Sequence, residues 1–357
     1  MRSIKILFFC LLISLIVLSI PITGKSALAA GTAAPVAKTN PGLPPIISMG
    51  SLAPGTATHA WAAGLADLVT KNTPMKLLIE SYPGPAAVFP MMAKGSVDLE
   101  GCPSPEVYWA FHGDHGYKEA TGGKGYKGLR LLFLDAVYTV GLVTGADTGI
   151  TTTRELKGKR IALVAPVLLS AYLSIQASVA NGGWTEKDVV YVPVGSPTEG
   201  KKLNVEKKVD ASSHPVGAAD VEEISAARGG ARFISLDPSA EATMRAKKFH
   251  PAIPQLIKKG KATGVPEDTW LNTFRNAVVS WETLPDEAAY VIVEAMWNNV
   301  EKYQKVHVLL RGLTRERLAT TEATVPYHPG AVKFYKAKGL WTDELENDQK
   351  ALLEGKR

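Results

Sequence analysis

Gly50-Ser51-Leu52-Ala53-Pro54-Gly55-Thr56-Ala57-Thr58-His59 places three hydroxyls and an imidazole on a glycine-punctuated turn just ahead of an amphipathic segment. That is what binding a carboxylate at a helix N-terminus needs, because free backbone N–H groups and the helix dipole converge there. Thr58 also reads as the cap of the helix, and one turn can do both. Similar turns follow other apolar runs of strand length, at Tyr82-Pro83-Gly84-Pro85, Gly101 to Ser104, Pro166 to Ser170 and His214 to Gly217. The candidate ligand-binding residues are therefore Gly50, Ser51, Gly55, Thr56, Ala57, Thr58, His59, Tyr82, Pro83, Gly84, Ser104, Pro166, Val167, Ser170, His214 and Gly217. If two α/β lobes face each other, these strand ends meet in one cleft.

Other chemistries fit less well. Gly123 to Gly128 satisfies G-x-G-x-x-G, but a loop precedes it and a strand follows, the reverse of a dinucleotide site. Gly195 to Lys201 (GSPTEGK) follows a strand, yet Lys202 stands where a phosphate loop needs Ser or Thr. His112, Asp114 and His115 could hold a metal, but flanking glycines deny them a rigid frame. No G-x-S-x-G elbow occurs, and pairing of Ser170 with His214 or His59 is not required by spacing. No cofactor and no metal are expected.

The elements that must carry these turns begin after a distinct N-terminal stretch. Arg2 and Lys5 precede a fifteen-residue run, Ile6 to Ile20, that no charge interrupts, and Ala27-Leu28-Ala29 follows. Residues 1–29 read as a secretory signal peptide rather than a membrane anchor, the run being short for a span. Cys10 lies inside the run, not at the cleavage point, which argues against a lipid-modified cysteine. Residues 30–45, rich in Ala, Pro, Thr and Gly, read as a flexible leader. An exported, periplasmic or otherwise extracytoplasmic chain would keep only Cys102 and form no internal disulfide. The net charge of +6 falls to +3 without the three basic residues of 1–29, and the remaining basic residues are dispersed, so nucleic acid is not expected.

From Ile46 the spacing predicts strand Ile46–Met49, helix His59–Lys71, strand Met75–Ser81, a helix ending near Lys94 and strand Val97–Glu100. A helix over Val107–Phe111, a glycine-rich surface loop over Gly113–Gly128, and two strands, Leu129–Leu134 and Ala136–Thr144, follow. The basic turn Lys157–Arg160 then opens a second lobe: strand Ile161–Ala165, helix Leu168–Ala180, strand Val189–Val194, helix Glu199–Lys207, strand Val209–Ser212, helix Gly217–Arg228 and strand Arg232–Leu236. Val97-Asp98 and Val209-Asp210 are each followed by Pro five positions after the Asp, an echo between the halves. Beyond Leu236 the period is lost until strand Asn276–Trp281. Helices are expected from Leu284 and over Thr314–Thr320, Pro329–Lys338 and Thr342–Leu353. The expected division is lobe 1 at 46–138 and 280–357 and lobe 2 at 139–279.

Val325-Pro326-Tyr327-His328-Pro329-Gly330-Ala331-Val332-Lys333-Phe334-Tyr335, with Lys338-Gly339-Leu340-Trp341, resembles the closing signature of the TAXI family of solute-binding proteins, the extracytoplasmic receptors of TRAP transporters. Ser48 to Thr56, Lys94 to Asp98, Glu155 to Ile161 and Val209-Asp210 extend the likeness over most of the chain. The resemblance implies an α/β, two-lobed periplasmic binding protein fold (Venus-flytrap, type II-like) with two hinge-crossing strands. It implies capture of a small carboxylate ligand, an organic acid or amino acid, and its delivery to a TRAP-type permease; a monomer that is not an enzyme is expected. The alternatives are a secreted hydrolase and a ligand-sensing receptor without transport. The chain departs from the family at Ala165–Ser170 (APVLLS) and Tyr82–Pro85, which offer few hydroxyls. With Tyr82, Phe89, Trp109, Tyr138 and Tyr172 nearby, the expectation is a rather apolar ligand held by its carboxylate at Ser51, Thr56, Thr58 or His59.

Overall fold

The first apolar run forms β1 (Ile46–Ser51), buried at its carboxyl end, as a strand covered by helices on both faces must be. The computed structural model describes residues 42–356. The expected signal peptide 1–29, and the leader 30–45 up to residue 41, lie outside the described residues. After β1 come α1 (Ala57–Asn72), β2 (Lys76–Ser81), α2 (Pro85–Ala93) and β3 (Leu99–Pro103). β1 lies between β2 and β3 and is parallel to both. Then α3 (Ser104–His112), α4 (Tyr117–Thr121) and β4 (Leu129–Gly145) lead to a repeat of the pattern: β5 (Arg160–Val164), α5 (Leu169–Asn181), β6 (Val190–Val194), α6 (Pro197–Val205) and β7 (Ser212–Pro215). α7 (Ala219–Ala227), β8 (Ala231–Phe233), α8 (Ala240–Lys247), β9 (Ile253–Ile257) and β10 (Thr269–Trp281) return the chain to α9 (Asp286–Asn298), α10 (Val300–Tyr303), α11 (Pro329–Ala337) and α12 (Asp343–Leu353).

Two long strands join the halves. β10 is antiparallel to β4 from Asn272 opposite Val140 to Trp281 opposite Leu129. β3 pairs with one part of β10, and β7 with the far part of β4. The apolar cores divide in the same way. One contains Ile47, Leu65, Leu99, Leu134, Val279, Ile292 and Phe334. A second holds Leu142, Ile161, Ile175, Val194 and Val209, and a third Val143, Ile224, Phe233 and Leu271. Helix α5 touches both sides: its Leu169 and Leu173 join the first core while Ile175 and Val179 join the second.

The Val-Asp echo has a physical content. Asp98 Oδ2 accepts from the backbone N–H of Ser48 at 2.7 Å, and Asp210 Oδ2 accepts from that of Arg160 at 2.8 Å, each across 50 residues. In both halves the carboxylate ties the first strand to the run that enters the third, while Val97 and Val209 are buried beside it.

Several boundaries differ from expectation. Leu129–Leu134 and Ala136–Thr144 are one 17-residue strand rather than two. β3 and β7 begin two and three residues later than expected. The supposed surface loop Gly113–Gly128 contains α4, whose Tyr117 is buried against Phe89 and Tyr126. The run without period after Leu236 holds α8 and β9, and Thr314–Thr320 forms only a 3-10 turn at Arg315–Arg317. These short elements gain their order from tertiary contact rather than from their own pattern.

Replacing Asp98 by Ala removes a charge-assisted bond to a backbone N–H and should cost about 1–3 kcal/mol. Thermal melts should show Asp98→Ala and Asp210→Ala each lowering the midpoint, and the pair adding nearly independently, since they serve separate cores. A silent Asp98→Ala would remove the tie from the account of β1.

Candidate functional site

The carboxyl ends of β1 and β7 face each other across Tyr138 of β4. Between them lie two adjoining cavities, of about 250 and 90 Å3. Both are lined by Leu52, Thr58, Tyr138 and Pro197. The outer one adds Gly55, Thr56, Ala57, His214, Gly217, Asp220 and His307. The inner one adds Trp61, Glu100, Glu106, Ser170 and Asn276.

The structure thus brings Gly55, Thr56, Ala57, Thr58, Ser170, His214 and Gly217 to one place. Their side chains differ in what they have left to offer. Thr56 caps α1, its hydroxyl accepting from His59 N–H at 3.2 Å and donating to Ala53 O at 2.9 Å. The His59 ring turns to Leu52 O at 3.2 Å. Thr58, by contrast, lines both cavities at the first turn of α1. Ser51 is buried, its hydroxyl without a partner.

Gly50 and Gly84 line neither cavity; each permits a close approach. Gly50 lies opposite Glu100 in the β1–β3 register, and a Cβ there would overlap the Glu100 carboxyl and Val88. A Cβ at Gly84 would overlap the carbonyl oxygen of Val167, in the Pro166–Leu168 turn of the other half. Tyr82 donates to Glu80 at 2.7 Å, and with Pro83 and Pro166 lies away from both cavities. Ser104 opens α3 on a different, larger cavity. Of the expected aromatics Tyr138 lines the cleft, in edge contact with Trp61 at 5.3 Å; Phe89 is core and Trp109 faces the larger cavity.

Sequence reasoning missed Glu100, Glu106, Trp61 and Asn276. The available signal was an acid, Glu100, between Leu99 and Cys102 of an expected strand, which a strand buried on both faces does not carry without reason. Glu106 reaches across to the other half. Its Oε2 accepts from Ser170 N–H at 2.7 Å, at the start of α5, and its Oε1 accepts from Tyr117 OH at 2.5 Å. A protein carboxylate therefore occupies the helix N-terminus that the sequence offered to a ligand. Burial raises the Glu106 pKa to about 7, against the lowering effect of those two bonds. Glu100 is 2% exposed and its Oε2 has no partner. Burial pushes it well above the carboxylate range, and Glu106 pushes the same way.

Two serine–histidine contacts bear on a hydrolase. Ser170 Oγ lies 3.0 Å from His250 Nε2, but His250 Nδ1 accepts from Ala252 N–H at 3.0 Å. The imidazole proton is then on Nε2 and is donated to Ser170, so this histidine is no base for that hydroxyl. Burial also lowers His250 to about 3. Ser212 Oγ lies 2.8 Å from His214 Nε2 and Asp220 Oδ2 lies 3.3 Å from His214 Nδ1, but that nitrogen has no hydrogen-bond partner, so the three make no relay. Ser212 is only 1% exposed, accepts from Asn204, and lines neither cavity. At Gly195–Lys201, Glu199 accepts from Gly195 N–H at 2.7 Å, closing the turn on itself. Among the described residues no group of three or more His, Cys, Asp or Glu is placed to hold a metal, and no helix is long and apolar enough to cross a membrane.

The cavity at Ser104, about 690 Å3, is the larger, lined by Trp109, Val137, Phe249, Phe274 and Arg275 among others. Its Arg275 is already held by Glu322 at 2.7 Å and by Arg317 O at 2.9 Å. The smaller pair sits at the strand ends and carries the unpartnered groups, and it is the candidate site.

Parallel β-α units on both sides of two crossing strands, with a cavity at the strand ends, define the mixed α/β fold of type II periplasmic binding proteins. The chain belongs to the NMT1-like family, whose model matches residues 50–339. In fold it is similar to PhnD1 from Prochlorococcus marinus, solved with methylphosphonate, at 10% identity and TM-score 0.51 over 84% of this chain and 100% of that one. It is similar also to the periplasmic binding protein BugD, at 13% identity and TM-score 0.53 over 86% and 97%.

A carboxyl whose pKa is raised by folding stabilises the protein below its unfolded value, and that contribution is lost as pH rises through the folded one. For Glu106 the window runs from about 4.5 to about 7, a loss on the order of 3 kcal/mol. Denaturant titrations should therefore show wild type losing stability relative to Glu106→Gln between pH 4.5 and 8. A difference independent of pH would mean that the carboxyl is not held in this way.

Proposed function

We propose that the protein is an extracytoplasmic solute-binding protein that closes two lobes, 46–138 with 280–357 and 139–279, over a small ligand. The observation that carries this reading is the meeting of the α1 N-terminus with the β7–α7 turn at one cavity beside the crossing strands. Thr58 contributes a hydroxyl there, and the first turn of α1 adds the positive end of its dipole. An organic acid or amino acid, held by its carboxylate at Thr58, suits that corner. The terminal Val325–Trp341 signature supports membership among TAXI receptors, which implies delivery to a TRAP-type permease by a periplasmic monomer after removal of residues 1–29. Binding and release then follow from lobe closure: ligand favours the closed form by its extra contacts with both lobes.

A thermal-melt screen against amino acids, dicarboxylates, 2-oxo acids and apolar monocarboxylates tests the reading. Ligand at a hundred times its dissociation constant adds about 2.7 kcal/mol, worth several degrees, and no shift from any class would overturn it. Two variants locate the site. Thr58→Ala should weaken a carboxylate ligand about tenfold. Gly84→Ala, by pressing a methyl against the Val167 carbonyl, should hold the lobes apart, enlarging the radius seen by X-ray scattering and weakening every ligand alike. An unaltered affinity in Gly84→Ala would show that closure does not bring these segments together.

A further inference from the structure

We propose that Glu100 sets the charge of the bound solute, taking a protonated nitrogen of the ligand while Trp61 Nε1 donates to an acceptor atom on the same molecule. This rests on the solute-binding reading above and assigns the inner end of its cavity. Glu100 and Trp61 both line the 90 Å3 cavity, are 2% and 4% exposed, and carry a carboxyl oxygen and an indole N–H with no hydrogen-bond partner. Buried polar atoms are nearly always bonded, and an unmet buried group is costly.

The neighbours do not supply the missing partners. Glu106, the other acid of the cavity, is satisfied by Tyr117 and Ser170. The groups that interact electrostatically with Glu100 are Glu106, Cys102, Tyr117 and Tyr82, all of them neutral or negative. Nothing in that set can compensate an ionised carboxylate, whereas an ammonium or amidinium group of a ligand can. The glycine at position 50 leaves the space that the Glu100 carboxyl fills, so the acid is built into the strand pair. A bare metal cation is a poorer match, because the indole N–H of Trp61, which lines the same cavity, demands an acceptor. A solute with both a cationic donor and an acceptor satisfies the two orphans together. Because burial favours the protonated acid in the empty cleft, binding an ammonium should also release a proton to the buffer.

The test compares purified wild type, Glu100→Gln and Trp61→Phe against three matched series: 2-amino acids, the 2-hydroxy acids with the same side chains, and the corresponding amines without a carboxylate. Affinities are read by calorimetry in two buffers of different ionisation heat. Amine-bearing members should bind wild type best, with proton release, and lose about tenfold to a hundredfold in Glu100→Gln. Trp61→Phe should weaken the same ligands. Glu100→Gln removes a buried acid without changing shape, so a melting point at or above wild type is expected and separates lost binding from lost folding. Hydroxy acids that bind as tightly as their amino counterparts, unaffected by Glu100→Gln, would overturn the assignment and leave solute binding standing. No binding by any series to any of the three proteins would overturn both.

Discussion

The geometry of the cleft depends on one of the two irregularities in the β4–β10 pair. The register passes from Arg275 opposite Val137 to Ala277 opposite Leu134, so two residues of β4 face one of β10. A bulge leaves carbonyls unpaired and bends the strand. Arg275 repairs it, donating to Asp135 O at 2.9 Å, while its remaining N–H groups reach Glu322 and Arg317 O. Asp135 is fixed a second time by Tyr303 OH at 3.0 Å. Asn276 faces the bulge and Tyr138 lies just past it, and both line the inner cavity. This bulge is therefore the point from which Asn276 and Tyr138 enter the cleft.

This is also where the sequence was hardest to read. Asp135 in an apolar run looks like a break between two strands, because an acid at that position is unfavourable unless something distant bonds it. The partner, Tyr303, lies 168 residues away, and no local pattern announces it. The alternation of β1, α1, β2, α2 and β3, and of β5 to β7, was legible for the opposite reason: apolar runs of strand length separated by Gly, Pro and Ser carry their own punctuation. The Val-Asp echo was legible as letters, but only the bonds from Ser48 and Arg160 to the two aspartates give it meaning.

The candidate site shows a different limit. Of the strand-to-helix turns offered to a ligand, Pro166–Ser170 does bind a carboxylate, but one that belongs to the chain. Glu106 sits at the start of α5, and at the turn before α6, not among those offered, Glu199 does the same. A helix N-terminus states a demand for negative charge; whether a ligand or a nearby glutamate meets it depends on the tertiary structure. The α1 turn differs because Thr56 and His59 consume one another and Leu52 O, leaving Thr58. Glu100 inverts the problem. What distinguishes it is a missing partner, and a missing partner cannot be spelled in a sequence.

That missing partner bears on how closure would be governed. Gly84 against Val167, Glu106 against Ser170, and Leu169 and Leu173 against the first core are contacts between the halves made by the chain itself. Alone they would favour a closed protein at all times, and a receptor that is always closed cannot report its ligand. Closing also strips water from Glu100 and Trp61, at a cost on the order of 1–3 kcal/mol for each unmet group. If the lobes close as proposed, the contacts and the orphans oppose each other, and a solute that satisfies both orphans would favour the closed form by roughly the amount they cost. On this account the unmet groups at the inner end of the cavity are the element that makes closure depend on the ligand.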